Sequence, residues 1–62
     1  MKYLYVQLGY EWEDMILFST REEAIQSSIK YPKRRVEIFK KTETGYLPNY
    51  CYYLDGKLIE PL

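Results

Sequence analysis

The chain has 62 residues, one cysteine, no histidine, and nine basic residues against nine acidic ones, for a formal net charge of zero. An internal disulfide and a zinc-type ligand cluster are therefore excluded, and the strongly basic balance of a typical nucleic-acid binder is missing. No apolar run reaches membrane-spanning length.

The start, "MKYLYVQLGYEWED", lacks the apolar core and small-residue cleavage site of a signal peptide. With no cysteine framework, the expectation is a soluble, cytoplasmic protein. Within that start, "KYLYVQLG" alternates, with Leu4, Val6 and Leu8 on one face and Tyr3, Tyr5 and Gln7 on the other. This predicts a strand closed by Gly9. "YEWED" reads as a loop tip leading into a short strand, "MILF".

In "STREEAIQSSIKYP", both Ser19 and Thr20 have a glutamate three residues on, Glu22 and Glu23, so either frame makes a capping box. Ala24, Ile25, Ser28 and Ile29 form a narrow stripe at helical spacing. Pro32 disfavours helical geometry at Tyr31, which ends the helix near Lys30. "RRVEIFKK" alternates again, with Val36 and Ile38 opposite Arg35, Glu37 and Phe39. "TETG" is a turn, and after Pro48 the run "YCYYL" is a strand. Asp55-Gly56 predicts a two-residue type I′ hairpin that returns through "KLIE". In that register Tyr50, Tyr52, Leu54 and Ile59 share one side, and Cys51, Tyr53 and Leu58 the other.

The order ββαβββ predicts one α+β domain over residues 1–62. Its architecture is a two-layer sandwich, an antiparallel-rich sheet of four or five strands with one helix on one face. The expected core is Leu4, Val6, Leu8, Val36 and Ile38 against Ala24, Ile25 and Ile29. The opposite face would then carry Tyr3, Tyr5, Phe39 and part of the tyrosine strand; Tyr50 and Tyr52 are candidate contacts there, though both sides of that strand are apolar enough to be buried and the period alone does not choose its core face. Tyrosine is a good strand former, so cross-strand packing alone explains such a face; association with a second copy or another protein is the alternative.

Stability bears on that choice. A 7.6 kDa chain exposes roughly 11,000 Å² when unfolded and buries about 60% of it on folding. Some ~3,800 Å² of that is apolar and contributes about 95 kcal/mol. Ordering the chain at ~1.5 kcal/mol per residue costs about 93 kcal/mol. With no disulfide or metal, a homodimer or another protein partner is the expected supplement, and a well-packed monomer is the alternative.

Connectivity places "KYPKRR" and Asp55-Gly56 at the same end of the sheet as "EWED". Glu11, Glu13 and Asp14 would lie near Lys33, Arg34 and Arg35. Either the two groups neutralise each other, or this end recognises a partner through Tyr10, Trp12 and Arg34, residue types favoured at interface hot spots.

No catalytic residues, cofactor or metal site are expected. Cys51 has no histidine to activate it and reads as a buried structural thiol. No phosphate-binding loop or nucleophile elbow is present. The competing function is weak single-stranded nucleic-acid binding through the Lys33–Arg35 region, with tyrosines stacking on bases. The short basic run and the acidic loop beside it argue against that reading.

The succession "YEWED", "FSTREEAIQSSIKYPKRRVEIF" and "GYLPNYCYYLDGKL" resembles a group of small uncharacterised proteins encoded by large nucleocytoplasmic DNA viruses. The likeness runs over nearly the whole chain through short motifs. It implies a viral protein in the cytoplasm of an infected cell or in a virion, and it carries no activity and no functional residues.

Overall fold

The computed structural model describes residues 2–61. Five strands, β1 (Tyr3–Gln7), β2 (Ile16–Phe18), β3 (Val36–Thr42), β4 (Gly45–Leu54) and β5 (Lys57–Ile59), form one sheet in the order β2-β1-β3-β4-β5. Every neighbouring pair is antiparallel. The single α-helix, α1 (Arg21–Lys30), carries the chain from β2 over β1 to β3. The α+β architecture is the one the sequence predicts, with five strands.

Local chemistry sets the element ends. Thr20 is the N-cap of α1: its hydroxyl oxygen accepts from the Glu23 N–H at 3.3 Å and donates to the Glu23 carboxylate at 2.8 Å. The Thr20 frame of the two capping boxes is thus the one used. At the other end the Tyr31 N–H donates to the Ser27 carbonyl, and the helix stops ahead of Pro32. Asp55 and Gly56, at φ 50° and 79°, make the tight turn between β4 and β5. The pairs Tyr52–Ile59, Tyr53–Leu58 and Leu54–Lys57 match the register expected for an I′ hairpin.

The core corrects one expectation. Tyr5, Ala24, Val36, Ile38 and Tyr53 form the buried cluster, with Phe18, Ile25 and Cys51 packed against it. Tyr5 lies opposite Ile38 and Gln7 opposite Val36. It is therefore the Tyr3-Tyr5-Gln7 face of β1 that meets the helix. Leu4 and Val6 point to the open face instead, and Leu8, past the strand end, is 46% exposed. Ile29, expected in the core, is exposed as well.

Two physical reasons account for the reversal. Gln7 is completely buried and makes three hydrogen bonds that a leucine could not. Its amide nitrogen donates to the Ser27 carbonyl and to the Arg34 carbonyl, each at 3.2 Å, and its amide oxygen accepts from the Ser27 hydroxyl. The Arg34 carbonyl in the loop after the helix gains a partner in this way, and the Ser27 carbonyl, which already accepts from the Tyr31 N–H, gains a second donor. The second reason is that burial on the open face is cheap for a central strand. Val6, flanked by Leu17 and Glu37 on its neighbours, stays only 8% exposed with no helix above it.

Ser28 is the second polar pin. Its hydroxyl donates to the Ile25 carbonyl at 2.6 Å and accepts from the Gly56 N–H at 3.0 Å, tying α1 to the β4–β5 turn. The helix therefore contributes small, fully buried residues, Ala24 and Ser28, and the sheet supplies large rings beneath them. Burial among these groups raises the pKa of the Tyr5 phenol above the ordinary tyrosine value.

The β3–β4 ladder contains an irregularity that the sequence does not announce. Glu37 pairs with Tyr52 and Phe39 with Pro48, so one residue of β3 faces three of β4. Tyr50 takes a left-handed backbone at φ 68°, and the Asn49 side chain accepts from the Cys51 N–H at 2.9 Å to close the bulge. The expected alternation holds for Tyr52, Leu54 and Ile59 but not for Tyr50, which sits exposed in the bulge. Pro48 lies where the outer edge of β4 has no neighbour, because β5 pairs only with Tyr52–Leu54.

The face assignment makes a direct prediction. Tyr5→Ala should cost about 3–5 kcal/mol in urea unfolding, as large aromatic truncations in cores do, whereas Leu8→Ala should cost less than about 1 kcal/mol. The reverse ranking would mean that the other face of β1 is the core.

Candidate functional site

The ends of β1 and β4 and the starts of β2 and β3 fall together, because Gln7 pairs with Ile16 and Val36, and Val36 pairs with Tyr53. The C-terminal end of α1 and the Asp55-Gly56 turn lie at this end too, joined by the Ser28–Gly56 bond. The sequence expectation that "EWED" and "KYPKRR" share one end of the sheet is met.

The chain leaves β1 through Leu8 and Gly9 into a single 3-10 turn, Trp12–Asp14. Gly9 allows the loop to close tightly, since a Cβ there would overlap the Asp14 Cβ. The closed base holds Tyr10 and Trp12 outward, 91% and 82% exposed. On the other side of the end, the chain leaves α1 through a turn in which the Arg34 N–H donates to the Tyr31 carbonyl at 2.9 Å. The Arg34 carbonyl is the one that Gln7 holds. The Arg34 backbone is thus fixed from both directions.

The Arg34 guanidinium lies between two rings, 5.1 Å from the centre of Tyr10 and 5.3 Å from that of Tyr31. The Lys30 ammonium lies 5.5 Å from the Tyr31 ring. Cation–π contacts of this kind hold a charged group in place without using its N–H donors. An open cleft of about 560 Å³ runs between Leu8, Gly9 and Tyr10 on one side and residues 30–35 on the other. A second cleft of about 250 Å³ shares the Leu8–Tyr10 wall and is bounded by Glu11, Trp12 and Met15. Tyr10 stands between the two.

The charges at this end do not pair directly. Among the described residues the ion pair is Arg35 with Glu37, at 2.8 Å, on the open sheet face. Glu11, Glu13 and Asp14 make no salt bridge to Lys33, Arg34 or Arg35. Direct neutralisation of one cluster by the other is therefore not what the side chains do.

The other residues singled out in the sequence are divided by the fold. Phe39 and Tyr52 lie half-buried on the open face, where the Arg35 guanidinium covers the Tyr52 ring at 4.7 Å. Tyr3 and Tyr5 are on the helix side instead, their ring centres 6.5 Å apart, and Tyr5 is 7% exposed. Tyr5 is thus withdrawn from any binding surface, and the expected aromatic face of Tyr3, Tyr5 and Phe39 does not exist as one surface. Tyr50 stands apart in its bulge.

Of these residues Tyr10 and Arg34 are in contact at the larger cleft, which Lys33 also lines, and Trp12 shares the smaller cleft with Tyr10. Tyr31 and Leu8 belong to the same site and were not singled out from sequence. The signal for Tyr31 lay in "KYPKRR", where an aromatic residue at a helix end precedes a proline and a basic run.

Among the described residues no group of three or more His, Cys, Asp or Glu side chains is placed to hold a metal ion. Cys51 is a half-buried free thiol. No helix among those residues is long and apolar enough to cross a membrane. No family model, curated protein or solved structure matches the chain.

The stacked arginine has a spectroscopic signature. Arg34 Hδ protons held against two rings should resonate upfield of ordinary arginine positions and shift downfield in Tyr10→Ala. Unchanged Arg34 shifts in that variant would contradict the stacking.

Proposed function

We propose that this chain is a non-catalytic protein–protein interaction module whose contact surface is the Tyr10–Trp12–Arg34 end. The observation that carries the reading is the Arg34 guanidinium held between Tyr10 and Tyr31, beside an exposed Trp12 and an open cleft. Tryptophan, tyrosine and arginine are the residue types that dominate binding energy at interfaces. The arginine among them has its backbone held by the Gln7 and Tyr31 hydrogen bonds, so less ordering is needed there when a partner arrives. Such an arrangement offers shape, apolar area and fixed charge, and it contains no nucleophile–base pair.

The open sheet face is the weaker docking surface. Much of its apolar area is already sheltered by neighbouring strands, and Arg35 and Glu37 sit on it as an ion pair over Tyr52. A partner covering that face would have to desolvate the pair, which offsets what burial of the surrounding apolar groups contributes. A homodimer through the face thus has less in its favour than contact through the Trp12 end. Expression of the module in an infected cell rests on the viral resemblance of the sequence alone.

A photo-crosslinking amino acid placed at position 12, in cells producing the protein, tests the reading. It should give a discrete protein adduct, either to another copy or to a different chain. The same group at position 43, in the β3–β4 turn at the far end of the sheet, should not. Equal labelling from both positions, or an adduct to nucleic acid only, would overturn it.

A further inference from the structure

Two features of the Trp12 end are complementary and unmatched within one chain. The 3-10 turn carries Trp12 with Glu11, Glu13 and Asp14 around it, and none of these carboxylates forms a salt bridge among the described residues. Across the Tyr10 wall, Lys30, Lys33 and Arg34 surround the larger cleft, and they too have no carboxylate partner there. A tryptophan flanked by acids thus stands beside a basic, tyrosine-walled cleft that it does not enter, because Tyr10 separates them.

We propose that the occupant of the cleft is the acidic Trp12 turn of a second copy of this chain, so that two copies exchange turns about a two-fold axis at this end. The proposal rests on the interaction reading above and names the partner.

Charge complementarity is the first argument. Three carboxylates on the turn face three cations around the cleft, and pairing them across two chains satisfies what a single chain leaves apart. Chemical fit is the second. An indole entering the cleft meets the Lys30 ammonium, while the N–H edge of Arg34, whose faces the two tyrosines cover, is left for the carboxylates of the turn; tryptophan is the ring that attracts cations most strongly.

Topology is the third argument. Turn and cleft lie at the same end of the molecule, back to back on one wall. If they lay at opposite ends, head-to-tail pairing would propagate into a filament. Side by side, they permit a closed isologous contact in which each copy gives a turn and receives one. The zero net charge of the chain adds no long-range repulsion between copies. A standard interface buries about 800 Å² per partner, and this chain exposes 4985 Å² in all.

Sedimentation velocity over a wide concentration range, with charge-swapped variants of the full chain, tests the proposal. The wild type should show a monomer–dimer equilibrium that weakens about fivefold or more between low and high salt, since the pairing is largely electrostatic. Glu11→Lys/Glu13→Lys sets a basic turn beside the basic cleft, and Lys30→Glu/Lys33→Glu leaves the turn acidic beside a cleft whose two new carboxylates offset Arg34 and Arg35. Each should dimerise at least about tenfold more weakly than wild type, and an equimolar mixture should regain a mixed dimer. Trp12→Ala introduced into both swapped chains should abolish that mixed dimer, which separates turn exchange from plain attraction between opposite net charges.

Unchanged thermal unfolding of the variants, all at exposed positions, would show that folding is not what is lost. A wild type that stays monomeric throughout overturns the proposal, as does a dimer indifferent to both swaps. Salt-sensitive binding of a single-stranded oligonucleotide by a strictly monomeric chain overturns it too. The position-12 crosslink remains the separate test of the interaction reading, because an adduct to a different protein from a monomeric chain would support that reading while removing this one.

Discussion

A single buried amide organises this fold. Gln7, at the end of the strand beside the sheet's centre, donates to the Ser27 and Arg34 carbonyls and accepts from the Ser27 hydroxyl. A buried primary amide left unsatisfied would be costly, and so would the Arg34 carbonyl and Ser27 hydroxyl it serves. Their pairing ties together two things: which face of β1 lies inward, and where the chain turns into β3. Because one of the accepted partners is the Arg34 carbonyl, the same amide also sets the base from which the Arg34 side chain reaches between Tyr10 and Tyr31. Fold and candidate site share that anchor.

The helix is short and offers little apolar surface, so it relies on close approach. Ala24 and Ser28 are completely buried, and the Ser28 hydroxyl bridges to the β4–β5 turn. The space beneath is filled by the rings of Tyr5 and Tyr53, whose centres are 6.3 Å apart. Tyrosine suits this place because its ring is large and its hydroxyl can reach the edge of a thin cover. The other side of the sheet solves its own problem without a second helix. Strand neighbours shelter Val6, and the Arg35–Glu37 pair lies across Tyr52.

Features governed by one or two residues were legible in the sequence. Thr20 with Glu23 gives the cap, Pro32 the stop, and Asp55-Gly56 the turn and its register; each rests on a local stereochemical rule that tertiary packing did not override. Alternation put Leu4, Val6 and Leu8 of β1 inward, and the structure buries the Tyr5 and Gln7 side against the helix instead. The deciding information was the hydrogen-bonding capacity of Gln7, which a hydrophobicity pattern counts as polar and therefore as outside. The bulge at Tyr50 was hidden for a different reason: no glycine marks the left-handed position. At the candidate site, connectivity foretold that the Tyr10–Asp14 loop and the Lys33–Arg35 run share one end of the sheet. The failure of the charge clusters to pair depends on where Tyr10 stands, which only three-dimensional placement reveals.

The account turns on Gln7 as an obligatory buried donor and acceptor. Urea unfolding of Gln7→Met compared with the wild-type chain tests this most directly, because methionine keeps the length of the side chain and removes its hydrogen bonds. A loss of about 2–4 kcal/mol is predicted, from several buried groups left unpaired together. That is a large share of the ~3–9 kcal/mol expected for a chain of this size. A loss below about 0.5 kcal/mol would contradict the account, since it would mean that the apolar packing of the sheet alone decides which face of β1 the helix covers.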